Sequence, residues 1–160
     1  MVGLLDALEI EKTHIHGGSM GSMIGARFAA RFPDRVEGLV ISGCAVKSDF
    51  ISVCQYEVWK ALARAYGTGS RELAYELCCK AVSRKFLDGS NGRDAFIDAV
   101  SEVVGLNCEI DVFCAACDVM IETDLKDDVR KVKAPTLVMV GDEEGTTAEQ
   151  PVSYTHLRAH

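Results

Sequence analysis

A chain of 160 residues is long enough for one ordinary domain and short for two. Apolar residues at 48% and charged residues at 26% give the balance of a globular protein, which excludes disorder, a collagen-like repeat and a disulfide-scaffold miniprotein. With 17 Lys and Arg against 24 Asp and Glu the formal net charge is −7; no local basic patch offsets it, and a nucleic-acid partner is excluded.

The N-terminal residues carry Asp6 and Glu9 where a signal peptide carries Lys or Arg, and no long apolar core follows. Leu4, Leu5, Leu8 and Ile10 predict a short amphipathic helix ahead of a strand. That strand is Thr13, His14, Ile15 and His16, and it runs straight into Gly17, Gly18, Ser19, Met20 and Gly21. From Met20 to Phe32 the pattern turns helical, with Ile24, Phe28 and Phe32 four apart. Gly21 and Gly25 are also four apart, so a bare strip of this helix is expected close to a neighbouring strand. Pro33 stops the helix, and the continuously apolar run from Gly38 to Gly43 reads as a strand buried on both faces. Strand, Gly-rich turn, helix and strand make a βαβ unit, hence an α/β fold with a parallel sheet.

From residue 49 to residue 132 the character changes to helical periodicity with almost no strand signal, and roughly four or five helices are expected. Leu73, Leu77 and Ala81 are predicted to share one buried face, as are Phe96, Val100 and Val103. The most apolar stretch, residues 112–121, is broken by Asp118 and is too short to span a bilayer, so no membrane partner and a cytoplasmic location are expected. A further strand is entered through Pro135 and ends at Val140, leading into the acidic loop Gly141, Asp142, Glu143, Glu144 and Gly145. An all-helical insertion between sheet strands suggests a cap. Residues 151–160 lack periodicity and differ in composition from the rest.

Seven cysteines, at 44, 54, 78, 79, 108, 114 and 117, show no disulfide-framework spacing and read as reduced and buried, as small hydrophobes. Cys114 and Cys117 form a C-x-x-C pair, but a zinc site needs about four ligands and no second pair or nearby His is present. No metal is expected. His14 and His16 lie on the strand entering the Gly-rich turn, where alternation is expected to send them to opposite faces as packing histidines.

The chemistry is concentrated at Gly17, Gly18, Ser19, Met20 and Gly21, which satisfy G-x-S-x-G. A tight strand-to-helix turn would hold Ser19 in a strained conformation at its tip, with small residues two before and two after allowing the close approach. The Ser19 hydroxyl would be exposed as a nucleophile, the Met20 N–H would point at a forming oxyanion, and the helix N-terminus would favour the same negative charge. No Lys-Ser/Thr pair follows at phosphate-loop spacing and the glycines do not fit G-x-G-x-x-G, so a nucleotide site is not supported.

Around this motif, residues 3–43 resemble the middle of an α/β-hydrolase-fold protein, and residues 30–41 match that family's passage from helix to strand after the nucleophile. Residues 133–144 resemble the strand that delivers the acid of a catalytic triad, and in esterases and enol-lactonases of this type a helical cap separates the two. The resemblance implies an incomplete α/β-hydrolase fold: residues 1–48 as core with the nucleophile turn, 49–132 as helical cap, 133–150 as core strand and acid loop, and 151–160 as a non-native tail resembling translated adapter or read-through sequence. It implies a serine hydrolase acting on a small-molecule carboxylic ester or lactone, with no cofactor. Glu144 is the implied acid and Asp142 the alternative, since the family normally has Asp where Glu144 stands. The base His, expected after the acid, is absent: His156 and His160 alone follow Glu144, and both lie in the tail. The chain is therefore expected to be a central fragment with Met1 an internal methionine, poorly soluble and inactive as it stands. Gly17-Gly18 before the serine also resembles homoserine acyltransferases of the same fold, which leaves acyl transfer as one alternative and a non-catalytic hydrolase-like binding protein as another.

Overall fold

The computed structural model describes residues 1–43, 45–83, 85–86 and 93–140, and these fall into two compact units. One holds Met1–Lys47 with residues 124–140, and the other is Ser48–Thr123.

The first unit begins with helix α1, Val2–Ala7, and strand β1, Thr13–Gly18. Helix α2, Met20–Arg31, follows after the single residue Ser19. Pro33–Arg35 makes a 3-10 turn in which the fixed φ of Pro33 ends the helical run, and strand β2, Val36–Ser42, comes next. Strand β3, Thr136–Met139, completes a sheet of order β1-β2-β3 in which both pairings are parallel. The α/β class and the βαβ unit read from the sequence are the observed ones.

Helix α2 covers one face of this sheet. Its buried residues are Ser22, Met23, Gly25, Ala26, Phe28 and Ala29, against Ile15, Leu39 and Ile41 of the strands. A Cβ at Gly25 would lie 3.2 Å from Ile15 Cγ2 and 3.4 Å from Leu39 Cδ1, so the absence of a side chain there sets how closely helix and sheet approach. Two expectations for this helix are corrected. The stripe of Ile24, Phe28 and Phe32 is not the buried one, since Ile24 and Phe32 are exposed, and a Cβ at Gly21 would meet nothing within 4 Å. The face of α2 that meets the sheet combines Met23 and Phe28 with the small Ser22, Gly25, Ala26 and Ala29, and the close approach is made at the small residues, a choice that hydrophobicity alone does not register.

The opposite sheet face carries His14, His16 and Gly18 from β1 and Leu137 and Met139 from β3, all of them exposed. Two arginines, Arg35 and Arg27, brace the elements around the sheet. Arg35 pairs with Asp6 at 2.7 Å and donates to the carbonyls of Glu11 and Ile10, tying the α1–β1 connection to the turn ahead of β2. Helix α7, Lys126–Val129, is held on α2 by Arg27 Nε to Asp128 Oδ2 at 2.9 Å, although its residues fall within the stretch read from the sequence as insertion.

The second unit contains helices α3, Phe50–Tyr66; α4, Arg71–Ala81; α5, Arg93–Asn107; and α6, Ile110–Glu122. Asp49 caps α3 by accepting from the Ser52 N–H at 2.8 Å, and that bond holds its carboxyl below the ordinary range. Ser70 caps α4 in the same way through Leu73 N. Helices α3 and α6 are joined by Lys60, whose ammonium lies 2.6 Å from Asp118 and 2.9 Å from Glu57; these hydrogen bonds, Asp118 foremost, raise its pKa.

Helices α4 and α5 meet at Ala74, Cys78 and Ile97, with Phe96 and Val100 packed on that cluster. Ala81 and Val103, each expected on a buried face, are exposed instead. The helical turn there places the seam at 73, 74 and 78 on α4 and at 96, 97, 100 and 101 on α5, a broader stripe than strict spacing by four suggests.

Candidate functional site

Ser19 sits at the carboxyl end of β1, where parallel α/β sheets place their sites. Its backbone is at φ 51 and ψ −122, in a region where a side chain costs of order 1–3 kcal/mol and which persists only when the surroundings hold it. Several contacts do so. Ser19 N donates to the Ser42 carbonyl at the end of β2 at 2.9 Å, and the Ser19 carbonyl accepts from Ser22 N at 2.9 Å. Gly17 lies against the backbone of the next turn: a Cβ there would be 2.3 Å from Gly21 O and 2.6 Å from Ser22 N. The tight approach expected of the small residues flanking Ser19 thus rests on Gly17, while Gly21 contributes its backbone and has space around it.

The turn presents Ser19 and Met20 to solvent. Met20 is the first residue of α2, so its N–H lies among those that no helical carbonyl can accept, at the positive end of the helix dipole. A negative oxygen arriving beside Ser19 would meet both the N–H and the dipole, which is the arrangement acyl chemistry requires.

Ser42 and Ser22 complete the surroundings, and sequence reasoning passed over both. Ser22 is buried, with its Oγ 2.5 Å from the Gly17 carbonyl, 2.9 Å from the Ser42 carbonyl and 3.0 Å from the Ser42 N–H. Ser42 Oγ donates to the Gly17 carbonyl at 3.1 Å and lies 3.4 Å from His16 Nε2. The available signal was faint: a hydroxyl in the first turn of a helix whose neighbours on the same face are Met, Gly and Ala.

The histidines are a correction. Residues two apart on a strand point to the same side, so His14 and His16 share the exposed face of β1 rather than alternating into packing positions. His14 Nε2 stands 3.5 Å from Glu37, which lies in the adjoining strand. Among the described residues neither is hydrogen-bonded to Ser19. Asp142 and Glu144, the candidates for a triad acid, lie outside the described residues, as do His156 and His160.

Cys114 and Cys117 are both buried on α6 with free thiols. Burial, with Cys114 adding to it, pushes the Cys117 thiol up to about 11. A redox dithiol needs the reverse shift. Cys54 and Cys79 are exposed, which corrects the expectation of buried cysteines at those two positions: both lie on faces of α3 and α4 turned to solvent. Alkylation of the native chain by iodoacetamide at about pH 8 is therefore expected at Cys54 and Cys79, with Cys78, Cys114 and Cys117 modified only after unfolding. Peptide mass mapping reads the difference, and rapid native modification of Cys117 would contradict the burial.

Among the described residues no cluster of three His, Cys, Asp or Glu could hold a metal ion, and no helix is long and apolar enough to cross a membrane. An open depression of about 460 Å³, lined by Leu5, Asp6, Glu9, Ile10, Glu11 and Arg35, lies at the amino end of β1, away from Ser19.

Comparison with known proteins agrees with the fold described above. Residues 1–55 match a family model described as the alpha/beta hydrolase fold. The chain is 22% identical over 148 residues to 3-oxoadipate enol-lactonase 2 of Acinetobacter baylyi, covering 92% of this chain and 52% of that protein. It is 45% identical over 58 residues to 2-hydroxymuconate semialdehyde hydrolase of a Pseudomonas species, covering 36% of this chain and 20% of the relative. Among solved structures, the enol-lactonase from Burkholderia xenovorans superposes with a TM-score of 0.76 at 23% identity, over 96% of this chain and 56% of its own. An α/β-hydrolase enzyme from a Medee basin deep-sea metagenome library superposes with a TM-score of 0.83 at 21% identity, over 99% of this chain and 58% of its own. The chain spans about half the length of the relatives that match most of it.

Proposed function

Since this chain carries part of the α/β-hydrolase fold, we propose that it is the nucleophile-bearing portion of a serine hydrolase acting on a small carboxylic ester or lactone. The observation that carries this reading is the backbone of Ser19, a non-glycine residue held at φ 51 between β1 and α2. The strain stands at the carboxyl end of a parallel strand, in front of a helix N-terminus, on a residue that is itself exposed. It has a clear chemical purpose: the hydroxyl projects free of the sheet while the next N–H is available to an oxyanion.

In this mechanism Ser19 Oγ attacks the substrate carbonyl to give an acyl-enzyme as the acyl C–O bond breaks: the alcohol of an ester departs, while the hydroxyl of an opened lactone stays tethered to the acyl group until deacylation. The Met20 N–H stabilises the tetrahedral oxyanion. A histidine base takes the Ser19 proton and delivers it to the leaving oxygen, then activates water for deacylation. Glu144, with Asp142 as alternative, is assigned the role of orienting that histidine. Residues 1–48 and 133–150 are assigned to the hydrolase core, together with α7, which packs on α2 although the sequence places it in the 49–132 insertion; residues 49–123 are assigned to a helical cap that sets substrate choice. The enol-lactonase name of one relative supports a lactone substrate and the hydrolase name of the other a hydrolytic reaction, and no cofactor is called for in the proposed steps.

The test compares two proteins. The product of the complete coding sequence of the source gene is expected to hydrolyse p-nitrophenyl acetate or a simple lactone in water, faster than it passes an acyl group from an acyl-CoA to an alcohol. The 160-residue chain alone, without a histidine bonded to Ser19 among its described residues, is expected to be slower by about 10³-fold or more. Preferential transfer to the alcohol would replace hydrolase by acyltransferase. Turnover by the 160-residue chain that vanishes in Ser19→Ala would overturn its expected inactivity.

A further inference from the structure

We propose that Ser22 is a positioning residue for Ser19: its buried hydroxyl ties the turn carrying Ser19 to the ends of both flanking strands. The inference rests on the reading of Ser19 as nucleophile, but its geometry stands independently. Ser22 is 1% exposed, and its Oγ reaches three backbone groups that belong to two different strands. The hydroxyl has one proton, which goes to the Gly17 carbonyl at 2.5 Å, the shortest of the contacts, with the Ser42 carbonyl at 2.9 Å as a second acceptor. Its lone pair accepts the Ser42 N–H at 3.0 Å. Gly17 is two residues before Ser19, and the Ser42 carbonyl is the same one that accepts from Ser19 N.

The contacts therefore close a ring. Ser19 N is fixed on Ser42 O, Ser42 is fixed on Ser22 Oγ, and Ser22 is fixed through its own N–H on Ser19 O. A backbone held in a sparsely populated conformation needs such over-determination, or it relaxes toward an ordinary turn and takes the hydroxyl with it. Helix packing alone does not supply it, because an alanine at 22 would fill nearly the same space. The hydroxyl of Ser22 adds direction, and a displacement of about 1 Å at a reacting atom is enough to cost about 10²-fold in rate.

The experiment is Ser22→Ala in the 160-residue chain, read by hydrogen exchange on peptides covering residues 16–23 and 38–43, with the rest of the first unit as the internal reference. The proposal expects exchange in those two peptides to accelerate about tenfold while peptides from the remainder of α2 and from β1 before residue 16 stay unchanged. Uniform acceleration across the unit would mean that Ser22 serves general stability, and unchanged exchange would mean that its hydroxyl holds nothing; either result overturns the proposal. In the complete gene product, Ser22→Ala is further expected to slow fluorophosphonate labelling of Ser19 about tenfold at a temperature where circular dichroism shows the variant fully folded. If Ser19 of the unaltered protein takes no label, the nucleophile reading fails, and the exchange result still decides whether Ser22 holds the turn.

Discussion

Gly17→Ala is expected to unfold the sheet-bearing unit. The added Cβ would stand 2.3 Å from Gly21 O, 2.4 Å from Gly21 C and 2.6 Å from Ser22 N, and every one of those atoms is backbone. A flexible side chain could turn aside; a helix first turn cannot do so without losing the hydrogen bonds that Ser19 and Ser22 make there. Overpacking of a site that cannot give costs about 3 kcal/mol or more, a large part of the stability of a unit this size. Gly18→Ala provides the control. Its Cβ would meet Ser42 Oγ at 3.6 Å, ordinary contact, and it should change the denaturation midpoint little. Urea titration followed by circular dichroism distinguishes the two, and a Gly17→Ala midpoint equal to that of the parent would mean that the turn is not close-packed.

The second large effect separates stability from activity at one residue. Ser19→Gly is expected to raise stability by about 1 kcal/mol, because glycine tolerates φ 51 and ψ −122 while serine is strained there, even after the extra chain entropy of glycine is subtracted. That corresponds to a thermal midpoint higher by about 2–4 °C. In the complete gene product the same change is expected to reduce ester hydrolysis by about 10⁴-fold or more, since the nucleophile is gone and the losses of grouped catalytic residues are not additive. A protein keeps a strained serine where a relaxed glycine would be more stable only if the hydroxyl does something. Loss of stability on Ser19→Gly would remove the strain from the account, and retained hydrolysis would remove the nucleophile.

Legibility in the sequence followed the physics of each feature. The parallel βαβ unit was readable because a buried strand is a short apolar run, a helix repeats its pattern, and Pro33 and the glycines mark the joins. The turn at Ser19 was readable for the same reason, since G-x-S-x-G fell between a strand pattern and a helix pattern. The buried face of α2 was not, because Ile24 and Phe32 outweigh Gly25 and Ala29 in hydrophobicity, while it is the lack of a side chain at Gly25 that lets the helix lie close on β1 and β2. The expectation of opposite faces for His14 and His16 runs against the period of two that governs a strand, and the structure places both on the exposed one. Ser22 was invisible for a different reason: its role depends on Ser42, twenty residues on, and such a partner is supplied by parallel pairing of β1 with β2. The acid at Glu144 or Asp142 lies outside the described residues and stays a proposal drawn from resemblance.

The central claim is that Ser19 is a nucleophile. The most direct test is fluorophosphonate labelling of the protein expressed from the complete coding sequence of its source gene, with the adduct located by peptide mass mapping. The account predicts one adduct, on the peptide containing Ser19, and none in Ser19→Ala. A folded protein that takes no label, or takes it on another serine, would contradict the account and leave the turn at Ser19 as part of a binding protein.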